Sequence, residues 1–219
     1  MREGSAIRVW DGPTRIFHWA VVALVFTSWL TQQEDWMAAH KISGYTMFAA
    51  LLFRFVWGFI GSDTARFSHF LASPRAAFAH LRHFIRREPD HRIGHNAAGG
   101  WMVLVMLLAL AVQVGTGLCA NDQVRVEGPL AEWVGPEWSD WLSHVHAVTF
   151  TVIEVAIVLH VAAVLAYALV KRHNLVAPMI TGRKRLPSNA PAPRMRSPIL
   201  AAIVFALAGA IVAWVVLLS

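Results

Sequence analysis

Polar and apolar positions alternate along this chain in long blocks: five stretches are almost wholly apolar, and polar segments separate them. Each stretch is long enough to cross a bilayer as a helix. The first is expected over about 14–31 and opens Arg15-Ile-Phe-His18-Trp19. The second runs from about His40 to Ile60 and stops at Gly61-Ser62-Asp63. The third covers about 96–118, the fourth about 141–172, and the fifth about 199–218, without one polar side chain before its last residue. Residues 1–13 are polar, with Pro13 near the start of helix 1. In the long polar segment 62–96, the middle from Ser73-Pro74 to Arg87 reads as a short interfacial amphipathic helix with a serine cap.

The polar blocks differ in charge, and that difference gives an orientation. Sixteen of the nineteen lysines and arginines fall in the N-terminal segment, 62–96 and 171–197, which five spans place on one side. The other side has Lys41 and Arg125, with Asp122, Glu127, Glu132, Glu137 and Asp140 in the loop 119–140. The positive-inside rule puts the basic side, and the N-terminus, in the cytoplasm, and the end of span five on the opposite face of the membrane. A net charge of +6 and a pI near 10.4 are therefore a topology signal, and a nucleic-acid partner is not expected. A chain that is 57% apolar, 15% charged and of mean hydropathy +0.51 is a polytopic membrane protein whose surroundings are lipid. The first apolar run follows Arg15 with no small-residue cleavage site and is expected to remain as a helix. One cysteine, Cys119, excludes an intrachain disulfide and covalent c-type haem attachment.

Histidines inside the apolar blocks are the candidate chemistry. His146 and His160 stand fourteen residues apart on span four, which returns the side chain to within about 40° and moves it about 21 Å along the axis. Two imidazoles thus face one side of one helix at two depths, where ionisable groups need a partner. Helix 1 runs outward and places His18 near the inner face; helix 2 runs inward and places His40 near the outer face. Depth pairs His40 with His146 and His18 with His160, as bis-imidazole haem iron in a four-helix bundle requires. The ordinary alternative is a hydrogen-bonded packing histidine. His144 competes with His146, but two residues on a helix are about 200° apart, and His144 is turned roughly 160° from His160. His69, His80, His83, His91, His95 and His173 read as surface residues beside the basic segments. Gly44, four residues after His40, would let a flat porphyrin lie against the backbone.

Two charges lie within spans. Arg54, fourteen residues after His40, shares its face and either binds a propionate of the inner haem or snorkels to the cytoplasmic surface. Glu154, between the two haem levels, either moves protons or pairs with a polar group. Trp10, Trp19, Trp36, Trp57, Trp101, Trp133, Trp138 and Trp141 lie near span ends, where an interfacial belt accounts for them.

Several of these pieces occur together: Arg15-Ile-Phe-His18-Trp19, His40-Lys-Ile-Ser-Gly44, His95-Asn96 before Gly99-Gly100-Trp101, the His146/His160 spacing, and Asn174-Leu-Val-Ala-Pro-Met-Ile-Thr-Gly182. In them the chain resembles the bacterial di-haem cytochrome b561 family, which includes the cytochrome b subunits of nickel–iron hydrogenases. The resemblance covers about residues 8–185. It implies that His18 and His160 ligate the cytoplasmic-side haem and His40 and His146 the outer one. It also implies electron transfer between a membrane quinone and an outer partner, a hydrogenase-like subunit or a c-type cytochrome. One branch instead oxidises superoxide and reduces ubiquinone. The expected fold is all-α: a four-helix transmembrane bundle (1–185) with two non-covalent b haems, a basic, Pro-rich linker (186–197) and an extra span (198–219). That fifth span departs from the family's pattern and reads as an interaction element for a partner subunit. No catalytic side chain is expected, and a non-redox transporter using histidines for protons or metal is the weakest reading.

Overall fold

The computed structural model describes residues 5–82, 93–187 and 190–217. In chain order a short strand β1 (Ser5–Arg8) precedes α1 (Gly12–Gln33) and α2 (Met37–Ile60). A 3-10 turn at Asp63–Ala65 leads into the small helices α3 (Phe67–Phe70) and α4 (Pro74–Arg82). Then follow α5 (Ala97–Leu118), α6 (Ala131–Val134), α7 (Pro136–Leu169), α8 (Val176–Thr181), strand β2 (Arg183–Leu186) and α9 (Pro198–Leu217). Among the described residues four helices, α2, α5, α7 and α9, are long and apolar enough to cross a membrane. Helix α1 has 22 residues, enough for about 33 Å, but Arg15 and His18 make it less apolar.

Local chemistry sets the helix starts. Asp11 caps α1, its Oδ1 accepting the Thr14 backbone N–H at 2.7 Å. Ser73 caps α4, where Pro74 takes the first position, and Asn96 caps α5 through the Gly99 N–H at 2.8 Å. Helix α7 begins five residues before the expected 141: Gly135 turns the chain at φ +80°, Pro136 occupies the first helical position, and Glu137 lies in the positive first turn. The loop expected over 119–140 is shortened accordingly. The expected amphipathic helix after Ser73 is seen as α4; its continuation toward Arg87, with His83, Arg86, His91 and Arg92, lies outside the described residues, as does Arg2.

The chain forms two compact units. One comprises Met1–Ile16, Phe55–Val105 and Ala156–Ala201. Here the fold adds something to the helical expectation: β1 and β2 pair antiparallel, with Ser5 opposite Leu186 and Arg8 opposite Arg183. The Gly182 carbonyl extends the pairing by accepting the Val9 N–H at 2.8 Å and the Trp10 N–H at 3.2 Å. Gly182 has φ +77°, and a Cβ there would lie 2.9 Å from the Trp10 carbonyl oxygen, so the position requires glycine. Val9, Trp10 and Leu186 bury together with Ile7, Ile93 and Met179 around them. Trp57, 0% exposed, donates its indole N–H to Asp11 Oδ2 at 3.0 Å. Trp10 and Trp57 thus leave the expected interfacial belt for the interior, whereas Trp36, Trp133, Trp138 and Trp141 are exposed. In the same unit a clasp holds the segment before α9. Asp63 N–H donates to the Arg194 carbonyl (3.1 Å), Arg194 N–H to Asp63 Oδ2 (2.9 Å), and Arg196 N–H to Ser62 Oγ (2.9 Å).

The second unit comprises Phe17–Arg54, Met106–Val155 and Ala202–Ser219. The Ser28 and Ser43 hydroxyls meet at 2.7 Å and tie α1 to α2. Phe205 of α9 packs edge-on against Phe53 at 6.0 Å. Val204, Ala208 and Val212 are buried while Ile203, Leu207, Ile211 and Trp214 are exposed, so α9 buries one narrow stripe. The loop after α5 is held by Asp122, whose Oδ1 accepts the backbone N–H groups of Val124, Arg125 and Val126 at 2.9, 2.7 and 2.8 Å.

Candidate functional site

Two histidines of the second unit come together. His40, in the first turn of α2, and His146, on α7, have ring centroids 6.3 Å apart and planes at 81°. His40 Nδ1 lies 2.9 Å from the Ser28 carbonyl oxygen, and His146 Nδ1 lies 2.8 Å from that of Gln113. A carbonyl only accepts, so in both rings Nδ1 carries a proton, and Nε2 is the nitrogen that remains for a ligand. The δ N–H anchored on a backbone carbonyl is how proteins orient a metal-ligating imidazole. His146 Nε2 is 3.1 Å from Gln113 Nε2, an amide donor facing that same nitrogen. Thr116, whose hydroxyl donates to the Val112 carbonyl at 2.7 Å, stands 3.4 Å from His146 Nδ1.

The space around the pair is set by glycines. A Cβ at Gly117 would lie 2.8 Å from His146 Cε1 and 3.1 Å from its Nδ1, so α5 approaches the ring only because this position is bare. At Gly44 a Cβ would meet nothing within 4 Å, so the helix surface is open there. His144 is exposed, whereas His146 is half-buried.

The remaining sequence candidates are more dispersed. His18 is half-buried in the second unit, edge-on to Trp19 at 4.9 Å and 86°. His160, half-buried, belongs to the first unit. Arg54 is 3% exposed, so its guanidinium is inside the protein and does not snorkel to the surface. Glu154 is exposed on α7. Two histidines expected at the surface are not there. His80 Nε2 is 2.6 Å from the Tyr167 hydroxyl, which also accepts from Asn96 Nδ2 at 2.7 Å. His95 packs between Trp10 at 4.7 Å and Phe70 at 5.0 Å. Sequence reasoning did not find Ser28, Gln113, Thr116 or Gly117 as neighbours of the histidine pair.

Two imidazoles on separate helices, each anchored through Nδ1 and so leaving Nε2 as the nitrogen available to iron, form the donor set of a bis-imidazole centre. A metal–imidazole bond of about 2 Å on each side, plus roughly 1 Å from nitrogen to ring centre, sums to about 6 Å, so the 6.3 Å separation fits one shared ion. Open helix surface at Gly44 suits a planar group beside it. Apolar helices and this donor set define the class of multi-span b-type cytochromes. A family model described as prokaryotic cytochrome b561 matches residues 9–182, and the chain belongs to that family. Similar proteins include a probable Ni/Fe-hydrogenase B-type cytochrome subunit of Azotobacter chroococcum mcd 1, 23% identical over 87% of this chain and 93% of the relative. Subunits of the same description from Azotobacter vinelandii (24% identical; 87% and 93% covered) and Rhodobacter capsulatus (22%; 84% and 83%) are also similar. No solved structure matches the chain. The protein is thus a multi-pass membrane cytochrome of the haem b type, and its family works in membrane electron transfer.

Proposed function

We propose that this chain carries electrons across the bacterial inner membrane, between a quinone and a redox partner on the periplasmic face, through two bis-histidine b haems. His40 and His146 hold the outer haem; His18 and His160 hold the inner one. The observation that carries the reading is the His40–His146 pair, with both δ N–H groups fixed on backbone carbonyls. Each haem, when bound, supplies a one-electron ferric–ferrous couple. The chain's own part is to orient the imidazoles, keep Nε2 unprotonated and exclude water. Anchoring through Ser28 and Gln113 raises the basicity of the ligating nitrogens. Arg54, enclosed within its unit, is assigned to a propionate of the inner haem.

The relatives described as hydrogenase cytochrome subunits favour a hydrogenase-like periplasmic partner over a c-type cytochrome. The acidic residues Asp122, Glu127, Glu132 and Glu137 on the exposed outer segment suit docking of a basic surface. A redox titration with haem quantification tests the reading: two b haems per chain with separate midpoints are expected, and one haem or none ends it. The second reading is superoxide oxidation: two superoxide ions become dioxygen, and ubiquinone takes the two electrons with two protons. It rests on Lys41, adjacent to His40, with Nζ 3.3 Å from the Glu127 carbonyl. Purified protein mixed with superoxide and quinone separates the two, since rapid quinone reduction without a partner occurs only in the second.

A further inference from the structure

We infer that the recess lined by Asp63, Arg66, Arg194, Met195 and Arg196 binds the phosphate of an anionic phospholipid, and so fixes the entry of α9 into the bilayer. The recess encloses about 420 Å³ in the first unit. Three arginines line it against one aspartate. That carboxylate is already committed: Asp63 is ion-paired with Arg66 and accepts the Arg194 backbone N–H. Those donors, the backbone N–H first, hold its pKa below the usual carboxylate range, so it stays a matched anion. Neither Arg194 nor Arg196 has an acidic partner among the described residues. Two arginines at one concave surface are therefore left without a carboxylate partner among the described residues.

The site is pre-organised by the clasp described above, because it works through the backbone of residues 194 and 196 and leaves their side chains disposable. Its depth follows from chain order. Pro198 begins a helix with no polar side chain through Leu217, so residues two and four positions earlier stand at the level of the headgroups. Guanidinium binds phosphate bidentately and is more weakly hydrated than an ammonium. Basic recesses at this level take anionic headgroups. Free phosphate offers the same chemistry without the acyl chains, but the exposed apolar side chain of Ile199, in the first turn of α9 and in the same unit, supplies a surface that a lipid would use.

The test uses the full-length, haem-loaded protein in detergent, with lipid adducts counted by native mass spectrometry. Phosphatidylglycerol should be retained in preference to phosphatidylcholine. Arg194→Gln with Arg196→Gln should weaken it by about fivefold per arginine, roughly 25-fold together. The charge-matched control Arg183→Gln with Arg185→Gln, on the exposed face of β2, should retain wild-type binding. Equal retention of the two lipids by the wild type, which needs no variant, overturns the proposal. So does wild-type binding by the 194/196 variant, an equal loss in the control, or displacement of the lipid by millimolar inorganic phosphate. Haem absorbance verifies that the variants are folded and separates this outcome from any failure of the electron-transfer reading.

Discussion

A methyl group added at position 117 would land on the ring of His146. Gly117→Ala is expected to push that imidazole off its carbonyl anchor, lowering occupancy of the outer haem, whereas Gly115→Ala, with nothing within 4 Å, should be silent. Haem content by absorption spectroscopy checks both. The same measurement tests the pairing: His18→Ala and His160→Ala should each remove one and the same haem while the outer one survives, and loss of different haems would break the assignment. The interval between His146 and His160, and the depths at which His18 and His40 are expected, make these four the candidates in the sequence, but neither can reveal what orients the rings. Ser28 and Gln113 act through main-chain carbonyls, which every residue type carries, so no side-chain pattern marks them. Arg54 was ambiguous for a related reason, because burial of a long cation depends on its neighbours rather than on its own position in the span.

At the scale of elements, hydropathy blocks located the five long helices to within a few residues. They did so because burying backbone polar groups in lipid leaves an apolar helix as the only solution for such a stretch. The misplaced start of α7 reflects Gly135-Pro136, a turn-and-first-position pair followed by amphipathic residues that hydropathy alone counts as loop. The ribbon of β1 and β2 was not legible: its strands are four residues each and separated by 174 positions, and Arg183, Lys184 and Arg185 look like topology charges. Trp57 was assigned to the interface because tryptophan near a span end usually sits there, yet a carboxylate 46 residues away takes its N–H in the interior. Trp57→Phe should leave one oxygen of Asp11 without that donor and destabilise the protein by about 1.5–3 kcal/mol, read as earlier thermal loss of haem absorbance. The outer loop carries a pH prediction. Three backbone N–H groups hold the Asp122 carboxyl down to about 2 against an ordinary value of 3.8. A depressed folded-state value adds stability above the ordinary value and loses it as pH falls through about 2. Amide exchange at Val124, Arg125 and Val126 should therefore stay slow to well below pH 4 and quicken near pH 2, while Asp122→Ala should abolish the protection at every pH.

For the whole molecule, the charge asymmetry predicts sidedness. With Cys119 replaced, a single cysteine at Val124, 80% exposed, should react with an impermeant thiol reagent added to intact spheroplasts, and one at Arg183 only after lysis. The reverse pattern would invert the sidedness proposed for this chain.

The paired strands near Arg8 and Arg183 also constrain the path between them by parity alone. Two hydrogen-bonded segments must lie on the same side of a bilayer, so the chain joining them traverses it an even number of times. Helices α2, α5 and α7 supply three passages, and the fourth must be α1, whatever Arg15 and His18 subtract from its hydropathy. Eight paired residues thus fix the parity of the crossings made by the 174 residues between them.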